Sequence, residues 1–136
     1  MLTVKVFFIA LVVFLVTDMI WLGFIAKELY FGHYSPWLRL VQNELQPIWW
    51  SAIAVYILFA LSLIIFIFPL AHSSILCVIG YGALFGLIVY GVYDFTCLAI
   101  FKDWPVKMAF IDIAWGTFLY GWSSMLTFFI VHRILL

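Results

Sequence analysis

The chain has 136 residues, of which 69% are hydrophobic and 9% are charged, and its mean hydropathy is +1.29. Soluble domains carry roughly 25% charged residues, so this composition excludes a soluble globular protein and predicts a single transmembrane domain over residues 1–136. The formal net charge is zero, which gives no electrostatic basis for a nucleic-acid partner and leaves membrane lipids as the expected one.

Four segments are long and apolar enough to cross a bilayer, which takes about 20 residues of helix. They cover about residues 4–26, 48–70, 74–101 and 106–134. Pro47 is expected to open the second segment, and Pro69 to close it. The predicted fold is therefore an all-α integral membrane protein, a bundle of four transmembrane helices.

The one long connection, residues 27–46, mixes aromatic and charged residues. This mixture is typical of a helix that lies in the membrane interface. We therefore predict a short interfacial helix between transmembrane helices 1 and 2, with a re-entrant loop as the alternative.

Four crossings place both termini on one side of the membrane. The side with the 27–46 and 102–107 connections has four Lys and Arg residues and the terminal side has two: Lys27, Arg39, Lys102 and Lys107 against Lys5 and Arg133. Because cytoplasmic loops are enriched in Lys and Arg, we predict that both termini are non-cytoplasmic.

Three of the six acidic residues fall inside the predicted spans: Asp18, Asp94 and Asp112. We call the side with the 27–46 and 102–107 connections the loop end. At ~1.5 Å per residue, the three aspartates lie ~12, ~10 and ~9 Å from the loop ends of their helices. Each embedded Asp costs about 2.5–3.5 kcal/mol on insertion scales, and such residues face the bundle interior. We therefore expect the three carboxyl groups to share one polar pocket, in which protons would belong to the group rather than to single residues.

Aromatic residues accompany these aspartates. Trp21 and Trp115 each follow an Asp by three residues and so share its helix face. An indole N–H is a donor only, which suits a carboxylate on a neighbouring helix. Tyr90 is near Asp94, and we include it in the predicted pocket.

Small and polar residues form a stripe on each of the last two helices. These stripes, at helical spacing, are Gly82, Gly86, Tyr90, Asp94 and Cys97 on the third helix, and Asp112, Gly116, Tyr120, Ser123 and Thr127 on the fourth. Small residues let membrane helices approach closely. We expect the two stripes to face each other, with Gly82, Gly86, Gly116, Tyr120 and Ser123 serving chiefly in packing.

The sequence contains no HxxxH, HExxH, GxSxG or SxxK motif and no glycine-rich phosphate loop. Cys77 and Cys97 are far apart and form no CxxC pattern. Three carboxylates are suitable oxygen ligands for a divalent cation, but their spacing carries no metal signature. We therefore predict no metal and no cofactor, and the sequence identifies no catalytic residue.

Three phrases resemble a family of small bacterial membrane proteins described only as a domain of unknown function: TDMIWLG (17–23), YGVYDFTCLAIFKDWP (90–105) and DIAWGTFLYG (112–121). The middle phrase resembles the family's YxTYDxTNxAxxxxWP pattern, with Val92 in place of Thr and Cys97 in place of Asn. The resemblance covers essentially the whole chain. It implies four membrane helices, a multi-pass protein of the bacterial cytoplasmic (inner) membrane and a link to fatty-acid-modifying enzymes.

Three functions are compatible with these observations. The leading hypothesis is a binding or transport-type protein whose acidic pocket receives a lipid head group or small amphiphile, with proton linkage. Four helices are few for alternating access, so a homodimer is expected in that case. The alternatives are an enzyme or accessory subunit of membrane lipid modification, with one Asp as general acid or base, and a structural subunit in which the aspartates only join helices.

Overall fold

The computed structural model describes residues 2–136. Four of its helices are long and apolar enough to cross a membrane, and a shorter helix follows the first of them. In chain order the helices are α1 (Leu2–Ile25), α2 (Lys27–Tyr34), α3 (Trp49–Ala71), α4 (Ile75–Ile100) and α5 (Val106–Leu135). The four long helices end within two residues of the predicted spans, and the predicted all-α membrane bundle is confirmed.

The connection between α1 and α3 folds onto the bundle. Tyr30 and Tyr34 of α2 are buried in a cluster with Met108 of α5. A single tight turn over Ser35–Trp37 follows, and then strands β1 (Leu40–Val41) and β2 (Glu44–Leu45) pair antiparallel. This small hairpin was not predicted. Its turn residues Gln42 and Asn43 both have positive φ, 52° and 65°, and Asn tolerates that conformation well.

Wide helical turns occur in three of the long helices: Trp21–Ile25 ends α1, Leu63–Ile67 interrupts α3 and Val131–Leu135 ends α5. The second of these lies just before Pro69, which has no N–H to donate to a carbonyl one turn earlier. The helix absorbs that defect by widening and continues to Ala71, so Pro69 lies in its last turn and not at its end. Such wide turns are frequent at functional sites, and the first contains Trp21.

The helices pack in the order α3, α1, α5, α4 around the bundle. The pair α4 and α5 makes the most extensive contact, and α1 packs against both α5 and α3. The fourth side is different, because α3 meets α4 mainly through residues 63–71. The bundle is therefore closed on three sides and partly open between α3 and α4 towards the loop end.

The core lies where α1, α3 and α5 meet. It contains Phe14, Phe59, Leu63, Leu119 and Tyr120, all nearly or fully buried. Large apolar side chains cover the outside of the four long helices, for example Phe24, Leu58, Leu76 and Phe110. Hydrocarbon solvates such a surface well, as expected for a multi-pass membrane protein.

Candidate functional site

Asp18 joins three helices through its side chain. Its Oδ1 accepts a hydrogen bond of 2.9 Å from the indole Nε1 of Trp115 on α5, and its Oδ2 accepts one of 2.6 Å from the hydroxyl of Tyr56 on α3. Both oxygens of this buried carboxyl therefore have a donor. Such bonds satisfy a polar group that cannot be hydrated in the membrane.

Asp112 receives its donor from outside the spans. The hydroxyl of Tyr30 on α2 donates to its Oδ1 at 2.7 Å. Burial, followed by the charge of Asp112, raises the pKa of Tyr30, so the phenol keeps its proton and remains a donor. The short interfacial helix is thus attached to the aspartate of α5.

Asp94 differs from the other two aspartates. It is 0% exposed, and within residues 2–136 neither of its oxygens has a hydrogen-bond donor. Its neighbour is the carboxyl of Asp112. Two ionised carboxylates contain only acceptors, so these groups can bond to each other only when one of them carries a proton. Asp94 and Asp112 therefore form a pair, whereas Asp18 makes its hydrogen bonds elsewhere.

Aromatic rings connect this region to the loop end of the bundle. Trp21 stacks on Trp115, with ring centroids 4.4 Å apart and planes 7° apart, and meets Tyr30 edge-on at 6.2 Å. Tyr34 stacks on Trp104 at 4.9 Å. The hydroxyl of Tyr34 is buried without a partner among the described residues, and its pKa is raised by burial and then by the charges of Asp112 and Asp94.

The stripes of small residues on α4 and α5 lie against each other. A Cβ added at Gly86 would meet the backbone of Gly116, and one added at Gly116 would overlap the ring of Tyr90. At Gly82 it would come within 2.6 Å of the Ser124 hydroxyl. Glycine at these positions is therefore required by the close approach of the two helices.

Farther along α5, Tyr120 is 1% exposed. Its hydroxyl lies 3.1 Å from the hydroxyl of Ser62, which itself donates to the carbonyl of Phe59. Since the proton of Ser62 is used there, Tyr120 is the donor to Ser62. The hydroxyl of Ser123 is fully buried and has no partner in the described part of the chain.

A cavity of about 600 Å³ occupies the gap between α3 and α4. Its lining is largely apolar and aromatic, and consists of Val55, Leu58, Phe59, Ser62, Phe85, Val89, Tyr90, Tyr93, Asp112 and Tyr120. Val55, Leu58 and Tyr93 are 43%, 63% and 57% exposed. The cavity therefore opens on the side of the bundle, between the spans α3 and α4.

The cavity has two different ends. Asp112 lies ~9 Å from the loop end of α5 and Tyr120 lies ~21 Å from it, at ~1.5 Å per residue. At the depth of Asp112 the lining includes its carboxyl group and the phenol of Tyr93. At the depth of Tyr120 it includes the hydrogen-bonded hydroxyls of Ser62 and Tyr120. The wall between these levels is mainly hydrocarbon and aromatic.

Only some of the residues predicted for the pocket line this cavity. Asp112 and Tyr90 do. Asp94 lies beside Asp112, and Asp18, Trp21 and Trp115 form the neighbouring hydrogen-bonded and stacked group. Sequence reasoning missed Tyr30 and Tyr56, the donors to Asp112 and Asp18. Tyr56 had a usable signal, since it lies seven residues into α3, at the depth of the aspartates.

The three aspartates do not form a compact ligand set. Among residues 2–136 there is no group of three or more His, Cys, Asp or Glu side chains positioned to hold a metal ion. The chemistry that the arrangement provides is hydrogen-bond acceptance and negative charge at the end of an apolar cavity.

Comparison with known proteins agrees with this architecture. Residues 3–129 match the family described as "Predicted membrane protein (DUF2177)", which confirms the family resemblance. No curated protein and no solved structure matches the chain.

Proposed function

The chain belongs to this family of membrane proteins, and we propose that it binds a lipid or small amphiphile taken sideways from the bilayer. The hydrocarbon tail would occupy the cavity between α3 and α4, and the polar head would meet Asp112. The protein would act in the bacterial cytoplasmic membrane as a binding or transport-type protein.

The shape and chemistry of the cavity carry the proposal. Its volume of about 600 Å³ is within the range of small-molecule sites, about 300–1,000 Å³. An apolar wall with a few polar groups at one end matches a molecule that is itself apolar with one polar end. Asp18 contributes indirectly, because its bonds to Tyr56 and Trp115 hold α3 against α1 and α5.

The pair of Asp94 and Asp112 supports proton linkage. One shared proton would supply the donor that Asp94 lacks. The other titratable groups around the pair are the phenols of Tyr30 and Tyr34 from α2 and of Tyr90 and Tyr93 from α4, the thiol of Cys97 on α4 and the carboxyl of Asp18 on α1. Binding at Asp112 would therefore change the number of protons on the pair, which is measurable as proton uptake or release in weakly buffered solution.

The test blocks the cavity without altering its polar end. Val89 lines the cavity, whereas Val92 on the same helix is 65% exposed to lipid. Val89→Trp should fill the cavity, and Val92→Trp should leave it open. Mass spectrometry of molecules that co-purify with each protein would compare both variants with the wild type.

We expect one amphiphile to be enriched with the wild type and with Val92→Trp and to be lost with Val89→Trp. Asp112→Asn, which keeps an acceptor for Tyr30, should weaken its retention as well. The same bulk lipid in all four proteins would refute the proposal and favour a purely structural role for the aspartates.

A further inference from the structure

The charges around the cavity indicate which class of amphiphile it accepts. No residue in the cavity lining is basic, and Asp112 is its one charged member. The six Lys and Arg residues lie near helix ends or in connections, at positions 5, 27, 39, 102, 107 and 133. An anionic head group would therefore meet a carboxylate without a compensating cation.

A second observation concerns the hydrogen-bond acceptors at the Asp112 end of the cavity. Asp94 lies beside Asp112 and outside the cavity lining, fully buried, with no donor to either oxygen among residues 2–136. Of the four carboxyl oxygens of Asp94 and Asp112, only Oδ1 of Asp112 has a donor among the described residues. The carboxyl groups at this end thus have unused acceptor capacity in a medium where unpaired acceptors are costly.

Aromatic rings line the cavity next to this end. Tyr93 lies at the level of Asp112, and Tyr90 and Phe59 lie about one helical turn farther in, with their rings 6.1 Å apart. Tyr90 is held in place by its contact with Gly116. Aromatic rings beside a carboxylate are the usual surroundings of an organic cation, because each ring face attracts positive charge.

From these three observations we infer that the cavity selects amphiphiles with a protonated amine head group over those with an anionic or an uncharged head. This inference rests on the proposed function. The ammonium group would donate to Asp112 and lie against the tyrosine rings.

The experiment compares three probes with the same tail, namely dodecylamine, dodecanoate and dodecanol. The whole 136-residue chain is kept in an uncharged maltoside detergent, and binding is measured as a concentration-dependent rise in the unfolding temperature. An ion pair at ~4 Å remains attractive at an effective dielectric constant of ~20, so the amine should bind at least about tenfold more tightly than the alcohol. Dodecanoate should bind most weakly.

Two variants locate the effect. Asp112→Asn should reduce the ratio of dodecylamine affinity to dodecanol affinity from at least about tenfold to within about threefold. Asp103→Asn, an exposed change in the turn before α5, is the matched control and should keep the preference. The comparison of head groups in the wild-type protein does not depend on any variant.

Each outcome has one meaning. Tighter binding of the alcohol or the carboxylate, blocked by Val89→Trp, would overturn the inference and leave amphiphile binding intact. A preference for the amine that persists in Asp112→Asn would also overturn it. If Val89→Trp changes the binding of none of the probes, the cavity is not their site and the proposed function itself fails.

Discussion

Individual residues show that the three embedded aspartates are not equivalent. Asp18 has two donors, Asp112 has one and Asp94 has none among the described residues. A carboxyl group with every acceptor satisfied serves well as a joint between helices. One that lacks donors is costly to bury and is therefore the better candidate for holding a proton.

Removal of a donor from Asp18 should destabilise the bundle. Tyr56→Phe keeps the ring and deletes the hydroxyl, so we expect the free energy of unfolding in detergent to fall by about 1–3 kcal/mol. Tyr81→Phe, at a partly exposed site on α4, should have little effect. In an Asp18→Ala background, which has no side-chain acceptor, the effect of Tyr56→Phe should shrink, and equal losses in both backgrounds would show that the bond contributes nothing.

Pairs of elements show how close packing and an open gap coexist. The helices α4 and α5 touch through glycine, whereas α3 approaches α4 mainly beyond residue 63. The tight pair fixes Asp94 beside Asp112 and sets the ring of Tyr90 against Gly116. The looser contact between α3 and α4 leaves space for the cavity.

A methyl group at Gly116 should force α4 and α5 apart. Gly116→Ala places its Cβ in the ring of Tyr90, and such overpacking typically costs about 1–3 kcal/mol. At Gly80 nothing lies within 4 Å of an added Cβ, so Gly80→Ala should be neutral or gain up to about 1 kcal/mol from its higher helix propensity. Unfolding in detergent, followed by circular dichroism, distinguishes the two. Equal stabilities would contradict the close approach of α4 and α5.

At the scale of the whole molecule, α2 and the turn before α5 lie at one end, and all three aspartates lie in the half of the bundle next to it. The start of α1, the end of α5 and the turn at 72–74 lie at the other end. Four of the six Lys and Arg residues belong to the first end, which predicts that this end faces the cytoplasm.

Cysteine labelling tests this orientation. In a chain whose two native cysteines are replaced, His72→Cys and Arg133→Cys should react with a membrane-impermeant maleimide on intact cells, and Asp103→Cys only after permeabilisation. The opposite pattern would reverse the orientation. Labelling of His72→Cys and Asp103→Cys from the same side would contradict the four-span topology.

The sequence predicts much of this fold because hydropathy and length alone determine where helices cross a bilayer. It also predicts the common depth of the aspartates, which follows from their distance to the helix ends. The roles of Tyr30 and Tyr56 could not be predicted, because they depend on which helices become neighbours. The cavity could not be predicted either, because it arises from the divergence of α3 from α4. The wide turn before Pro69 also has no clear signal in a hydrophobic sequence.

The sideways opening of the cavity has a consequence for selectivity. A tail that moves from the bilayer into the cavity exchanges one hydrocarbon medium for another, so it gains almost none of the ~0.8 kcal/mol per methylene that transfer from water provides. The length of the hydrocarbon tail should therefore have little effect on affinity, and selectivity should depend on the few polar atoms near Asp112. Occupancy would follow the composition of the surrounding leaflet and not the concentration of ligand dissolved in water, so the protein would respond to what the membrane is made of.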